Sequence, residues 1–233
     1  MWKRHLGFSI SFCLIAILVL FVEILDIAEI RLFIKPLICV LLLAYLVNKT
    51  RLYGSFSKLI FGGLLFSLAG DIALLFAGKS ATFFLAGLGA FLLAHLFYCA
   101  AFFRDYKYDP QASRKYGNIM LFVMGLFTIS FYLWIRSYLN GMEIPVMAYM
   151  FVISLMAILA GYRYGRVNLL SFQLIFTGAI LFIISDTLLA INKFVSPFQY
   201  SGVFIMATYM VAQYLITMGT LERVVPSKKD VYP

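Results

Sequence analysis

Two acidic residues in this chain sit where acids are expensive. Asp71 lies inside Lys58–Leu74, KLIFGGLLFSLAGDIAL, and Asp186 inside Gln173–Leu189, QLIFTGAILFIISDTLL. Aligned without gaps, the two stretches share Leu59/Leu174, Ile60/Ile175, Phe61/Phe176, Gly63/Gly178, Asp71/Asp186 and Leu74/Leu189. Each is an apolar run long enough to cross a bilayer. A charged side chain at mid-membrane costs roughly 2.5–3.5 kcal/mol on insertion scales, so such a residue faces the protein interior and serves a function. Equal depth in two related helices predicts one shared polar site. Two carboxyls in one low-dielectric site do not both ionise cheaply, so one is expected to keep its proton near neutral pH. A pair divided in that way supplies a proton donor and a charged base from identical residues. The alternative is a structural polar contact that ties the two helices together.

Other polar residues fall in apolar runs. Lys35-Pro36-Leu37 is placed near the outer start of the second run, where Pro suits a first helical turn and Lys can snorkel. Lys35 lies at about the depth of the acids and could hold one aspartate ionised or bind a substrate phosphate. His95 is the only histidine inside the membrane; by rise per residue it lies roughly 10 Å from the acids in depth. It reads as a hydrogen-bonded structural residue or as a group that orients a carboxyl or a water. Gln213, Asn192, Tyr98, Tyr209, Glu23 and Asp26 are further candidates for a polar lining. His5 and His95 are the only histidines, which excludes a zinc site with two or three His ligands from one region. There is no Gly-x-Ser-x-Gly elbow, Gly-rich phosphate loop or Cys-x-x-Cys pair. Cys13, Cys39 and Cys99 are scattered through apolar runs and read as small hydrophobes. What remains is carboxylate acid–base chemistry or ion coupling.

The elements that must position these groups are transmembrane helices. Of 233 residues 64% are hydrophobic and only 12% charged, against about 45–50% and about 25% in soluble domains. Hydropathy predicts an all-α membrane protein, a single integral membrane domain over residues 1–233, with eight spans. They are about Leu6–Leu25, Leu32–Val47, Leu59–Phe76, Thr82–Phe103, Gly117–Tyr138, Ile144–Tyr162, Leu169–Ile191 and Phe198–Leu221. The longest connection is Arg104–Tyr116, and a retained first helix is expected rather than a cleaved signal peptide. The net charge of +9 reflects sidedness rather than nucleic-acid binding. Of the 19 Lys and Arg, only Arg31, Lys35, Lys79, Arg136 and Lys193 fall on one side. Lys3, Arg4, Lys49, Arg51, Lys58, Arg104, Lys107, Arg114, Lys115, Arg163, Arg166, Arg223, Lys228 and Lys229 fall on the other. Both termini are therefore expected in the cytoplasm. The acids then lie about two-thirds of the way across, toward the opposite face.

The repeat runs on. Phe91–Tyr98, FLLAHLFY, resembles Tyr209–Ile216, YMVAQYLI, with Ala94-His95 against Ala212-Gln213 after a three-residue shift of register. Spans 3–4 and 7–8 are expected to form a parallel internal repeat with the functional site at the repeat interface.

Taken together, Lys35-Pro36-Leu37, Gly70-Asp71, Gly87-x3-Phe91-x2-Ala94-His95-x2-Tyr98, Ser185-Asp186 and Ala212-Gln213 resemble the lysoplasmalogenase (YhhN-like) family of membrane proteins. The motifs occur in the family's order across nearly the whole chain; the fifth and sixth spans carry none. The resemblance implies hydrolysis of the vinyl ether bond of lysoplasmalogens, a lysophospholipid substrate. The products are a fatty aldehyde and glycerophosphoethanolamine or glycerophosphocholine. It implies no metal or organic cofactor, and contact with membrane lipids. A bacterial source implies the inner membrane and a eukaryotic one the endoplasmic reticulum. Cleavage of a vinyl ether passes through an oxocarbenium ion, as glycoside hydrolysis does with two carboxyls. Asp71 and Asp186 are the expected pair, one donating the proton and the other stabilising the cation and activating water. Three other readings remain. A small proton-coupled transporter would use the same acids as its coupling site. An intramembrane aspartyl protease would carry Gly-x-Gly-Asp where this chain has Leu68-Ala69-Gly70-Asp71. A scaffold would need neither acid.

Overall fold

Each long apolar run closes its backbone hydrogen bonds within itself, since hydrocarbon offers no partner. In the computed structural model, which describes residues 2–109 and 112–225, eight helices do so: α1 (Trp2–Ile24), α2 (Ala28–Thr50), α3 (Gly54–Leu75), α4 (Ala81–Tyr108), α5 (Lys115–Ile135), α6 (Glu143–Tyr162), α7 (Leu169–Ala190) and α8 (Ser201–Leu221). All eight are long and apolar enough to cross a membrane. Large apolar side chains such as Phe33, Phe122, Ile144 and Phe151 point outward, as a lipid-facing surface requires. Lys228 and Lys229, counted above for sidedness, lie outside the described residues.

Helix ends follow local chemistry. Ser80 caps α4 by accepting from the Thr82 amide at 3.2 Å, satisfying one of the first turn's free donors. The chain leaves α2 through Arg51 in the left-handed region, whose amide donates to the Val47 carbonyl at 2.7 Å. A short 3₁₀ turn, Arg136–Tyr138, ends α5, and a π-helical turn, Ile191–Val195, ends α7.

Several boundaries depart from the hydropathy reading; α1 and α3, for instance, begin at Trp2 and Gly54 rather than Leu6 and Leu59. Pro36 is inside α2, two turns past its start at Ala28. Lys35-Pro36 is therefore not a helix start, and Pro36 withholds a donor from the carbonyl of Leu32. The polar segment Ile27–Arg31 lowered the local hydropathy without ending the helix. Likewise α4 runs to Tyr108 rather than Phe103, so the Arg104–Tyr116 connection is shorter than expected. Its charged last turns lie beyond the apolar stretch yet keep their helical bonds. Finally α8 begins at Ser201 rather than Phe198.

The most extensive helix pairs are α3 with α4 and α7 with α8. Glycine permits both close approaches. A Cβ on Gly63 would collide with the ring of Tyr98, and one on Gly178 would lie 2.9 Å from the Ala212 carbonyl and from Ile216 Cγ1. Gly63 and Gly178 are aligned in sequence, and so are Tyr98 and Ile216. Around these pairs, α6 packs on α4 and α7, α2 packs on α3 and α8, and α1 and α5 lie at the periphery. At the end of the bundle where α4, α6 and α8 finish, buried Asp105 accepts from Arg163 Nε at 2.8 Å and pairs with Arg223. Arg163 also donates to Ser171 Oγ at 2.9 Å, which ties α7 to the same cluster.

Candidate active site

Asp71 is buried in α3 with 2% of its surface exposed. Its Oδ2 accepts from the Tyr209 hydroxyl at 2.7 Å and from the Cys39 thiol at 3.4 Å. Tyr209 and Gln213 are one turn apart on α8 and face the same way. Gln213 Nε2 donates to the Tyr209 oxygen at 3.3 Å, and Tyr98 donates to Gln213 Oε1 at 2.7 Å. A continuous chain of hydrogen bonds, Tyr98 to Gln213 to Tyr209 to Asp71, thus joins α4, α8 and α3. Lys35 is half-buried one turn before Cys39 and acts on Asp71 electrostatically.

Asp186, near the end of α7, has a different set of neighbours. Its Oδ2 accepts a short hydrogen bond from the Tyr149 hydroxyl on α6. His95 Nε2 lies 3.8 Å from the same oxygen, too far for a hydrogen bond. His95 is wholly buried, and neither ring nitrogen has a hydrogen-bond partner. Its ring is held edge-on by Tyr149 at 5.3 Å and Phe182 at 4.7 Å between centroids. A buried polar group without a partner costs stability, and where one persists it calls for a functional explanation.

Asp186 and Tyr149 form part of the wall of a pocket that is otherwise almost wholly apolar. It holds about 680 Å³ of empty space counting its open mouth, and Phe84, Phe91, Phe127, Phe131, Ile183 and Phe194 line much of it. Among the described residues, Thr187 is its only other polar lining residue. Such a space suits a hydrocarbon chain with one reactive polar group beside it.

The expectation of a single cavity shared by both acids is corrected by this geometry. Asp71 and Asp186 interact electrostatically, but each has its own hydrogen-bond partners and only Asp186 lines the pocket. Phe91 and Phe182 both meet Tyr209, the donor to Asp71, edge-on; Phe91 also lines the pocket and Phe182 also meets His95. The depth assigned to His95 is corrected too. The extension of α4 to Tyr108 puts His95 near the helix midpoint rather than toward one end, and its side chain reaches to 3.8 Å from Asp186 Oδ2. Asp71 on α3 is met by Tyr209 of α8, and Asp186 on α7 by Tyr149 of α6 with His95 of α4 close by.

Of the other candidates, Asn192 accepts from the Phe198 amide at 3.3 Å and braces the loop after α7. Glu23 and Asp26 pair with Arg31. Two contributors were not singled out from sequence. Cys39, read as a small hydrophobe, stands 3.2 Å from the Tyr209 oxygen as well as beside Asp71. Tyr149 had one signal, a phenol in a span with few polar side chains. Among the described residues, no group of three or more His, Cys, Asp or Glu could hold a metal ion.

Comparison with known proteins bears on this arrangement. The model of the YhhN family matches residues 30–220. Lysoplasmalogenase TMEM86A of Homo sapiens is 34% identical over 167 residues, 70% of this chain and 65% of that protein. TMEM86A of Bos taurus is 31% identical over 70% of this chain and 65% of its own length. Lysoplasmalogenase TMEM86B of Homo sapiens is 29% identical over 74% of this chain and 68% of its length. The match thus spans just under two-thirds of the TMEM86A proteins. No solved structure matches the chain.

Proposed function

Because the chain belongs to the YhhN family, and the relatives it resembles are named lysoplasmalogenases, we propose that it hydrolyses the vinyl ether bond of lysoplasmalogens. The observation that carries this reading is a lone carboxyl, Asp186, set in the wall of an apolar pocket. A single-chain lipid places its hydrocarbon in such a space and its ether group beside the acid.

Asp186 gives its proton to the β-carbon of the vinyl ether. The π electrons form the new C–H bond, which leaves an oxocarbenium ion across the α-carbon and the ether oxygen. Water adds at the α-carbon and loses a proton to the Asp186 carboxylate. The resulting hemiacetal takes that proton back on its glycerol oxygen as the C–O bond breaks, and its hydroxyl gives its own proton to the Asp186 carboxylate. A fatty aldehyde and a glycerophospho-alcohol leave, and the acid is restored. One carboxyl serves as acid and then as base, as in retaining glycosidases. Asp71 acts as a fixed negative charge outside the pocket wall that favours the cation. Tyr149 holds Asp186 in one orientation. His95, with both ring nitrogens free, is placed to share a water with Asp186, since one water can reach two atoms 3.8 Å apart. Lys35 tunes Asp71. Both termini face the cytoplasm, so the pocket opens toward the opposite leaflet.

The test is aldehyde release from purified protein given a lysoplasmalogen. Asp186→Asn should lower turnover by about 10²–10⁴-fold, the usual worth of a general acid, and Asp71→Asn by less. Wild-type rates in both variants would refute the assignment. Uptake of solute into liposomes with no aldehyde would favour a proton-coupled carrier instead.

A further inference from the structure

Resting on that reading of the pocket, we infer that Lys193 anchors the substrate's phosphodiester at the pocket mouth and sets the preference for phosphorylated single-chain lipids. The pocket opens at one end of the bundle. Leu74 at the end of α3, Phe84 in the first turn of α4, Val146 in the first turn of α6 and Ala190 closing α7 all belong to its wall. Lys193 lies on the π-helical turn that continues α7 at this end, and it is exposed. Its Nζ sits 4.8 Å from the centroid of the Phe84 ring. Phe84 meets Phe194 edge to face at 5.7 Å, and both rings line the pocket. The ammonium is therefore folded over the rim. Among the described residues, no acid lies within ion-pair distance of it.

The spacing fits the substrate. Lys193 follows Asp186 by seven residues, about 10 Å along a helix axis. In a lysoplasmalogen, seven bonds separate the vinyl β-carbon from phosphorus, about 9 Å when extended. With the β-carbon at Asp186, the phosphate reaches the Lys193 ammonium. The hydrocarbon then runs the other way, past Phe127, Ile153 and Ile183. The turn that carries Lys193 is held in place. Asn192 accepts from the Phe198 amide, and the Ser196 amide donates to the Ile191 carbonyl at 3.1 Å. π-Turns of this kind are frequent at functional sites. Lys35, the other cation considered for the phosphate, is on α2, which contributes nothing to the pocket wall.

The experiment compares ethanolamine lysoplasmalogen with 1-alkenylglycerol, which keeps the vinyl ether and lacks the phosphate. The readout is the ratio of kcat/KM for the two lipids. In Lys193→Met this ratio should fall about tenfold or more, the worth of a charge-assisted bond. The change should reside in KM for the phospholipid, and Lys193→Arg should restore it. An unchanged ratio in Lys193→Met, or a collapse in Lys35→Met instead, overturns the inference. If the wild type releases aldehyde from neither lipid, the proposed activity fails by itself. Binding of a non-hydrolysable alkyl-ether lysophospholipid then decides the anchor: weaker binding to Lys193→Met supports it, and equal binding removes it.

Discussion

His95 Nε2 stands 3.8 Å from Asp186 Oδ2, and that imidazole has no hydrogen-bond partner on either nitrogen. A group buried in this state weakens the fold by about 1–3 kcal/mol. Leucine at the position would pack against Phe182 and Tyr149 without that cost. We expect His95→Leu to unfold at the wild-type temperature or above while turnover drops at least tenfold. Thermal unfolding in detergent, run beside aldehyde release, separates the two effects. A destabilised but fully active variant would show that His95 is only structural.

The phenols facing the two acids should differ in weight. Tyr149→Phe removes the donor to the acid that lines the pocket, whereas Tyr209→Phe removes one of two donors to the enclosed Asp71. Both keep ring volume. Loss of a hydrogen bond to a carboxylate is worth about 1.5–3 kcal/mol, so kcat should fall about tenfold or more in Tyr149→Phe. The fall should be smaller in Tyr209→Phe. The reverse order in steady-state assays would shift the reacting group toward Asp71.

At the other end of the bundle, Asp105 is fully buried between Arg163, also fully buried, and Arg223, whose side chain is 23% exposed. Removing the shared acid strands buried positive charge, which costs about 3–5 kcal/mol. Asp105→Ala should therefore lower the unfolding temperature more than Arg223→Ala, because water can solvate part of what Arg223 leaves behind. Equal shifts would mean that water already reaches the cluster.

The two glycine approaches should fail to different degrees. An alanine Cβ at position 178 meets a backbone carbonyl at 2.9 Å, while the three atoms nearest one at 63 all belong to the Tyr98 ring. Backbone of a packed helix cannot swing aside, whereas a ring can rotate at some expense. Overpacking usually costs about 1–3 kcal/mol, and Gly178→Ala should lie at the upper end. Gly63→Ala should also disturb the Tyr98–Gln213 bond and so reduce activity. Unfolding curves and aldehyde release for the two variants provide the check.

Sequence alone determined the number of spans and that two of them carry an acid within the apolar run. Both follow from one-dimensional facts: about 20 apolar residues cross the hydrocarbon, and a carboxylate within that length stands out against its neighbours. The family motifs were equally legible because they are short and ordered. Helix ends were less so. Charged turns at the ends of α2 and α4 stay helical, and hydropathy records only where apolar residues stop.

Tertiary structure decided the partners. Lipid-facing and core-facing positions are both apolar in a membrane helix, so periodicity loses the contrast that marks a buried face in water. Nothing in the spans announced that Tyr149 would meet Asp186, that Cys39 would meet Asp71, or that Phe91 and Phe182 would both close on Tyr209. Those outcomes depend on how eight helices lean and rotate against one another. Small residues such as Gly63 and Gly178 govern the closest approaches, and the resulting lateral arrangement is not written in any single helix.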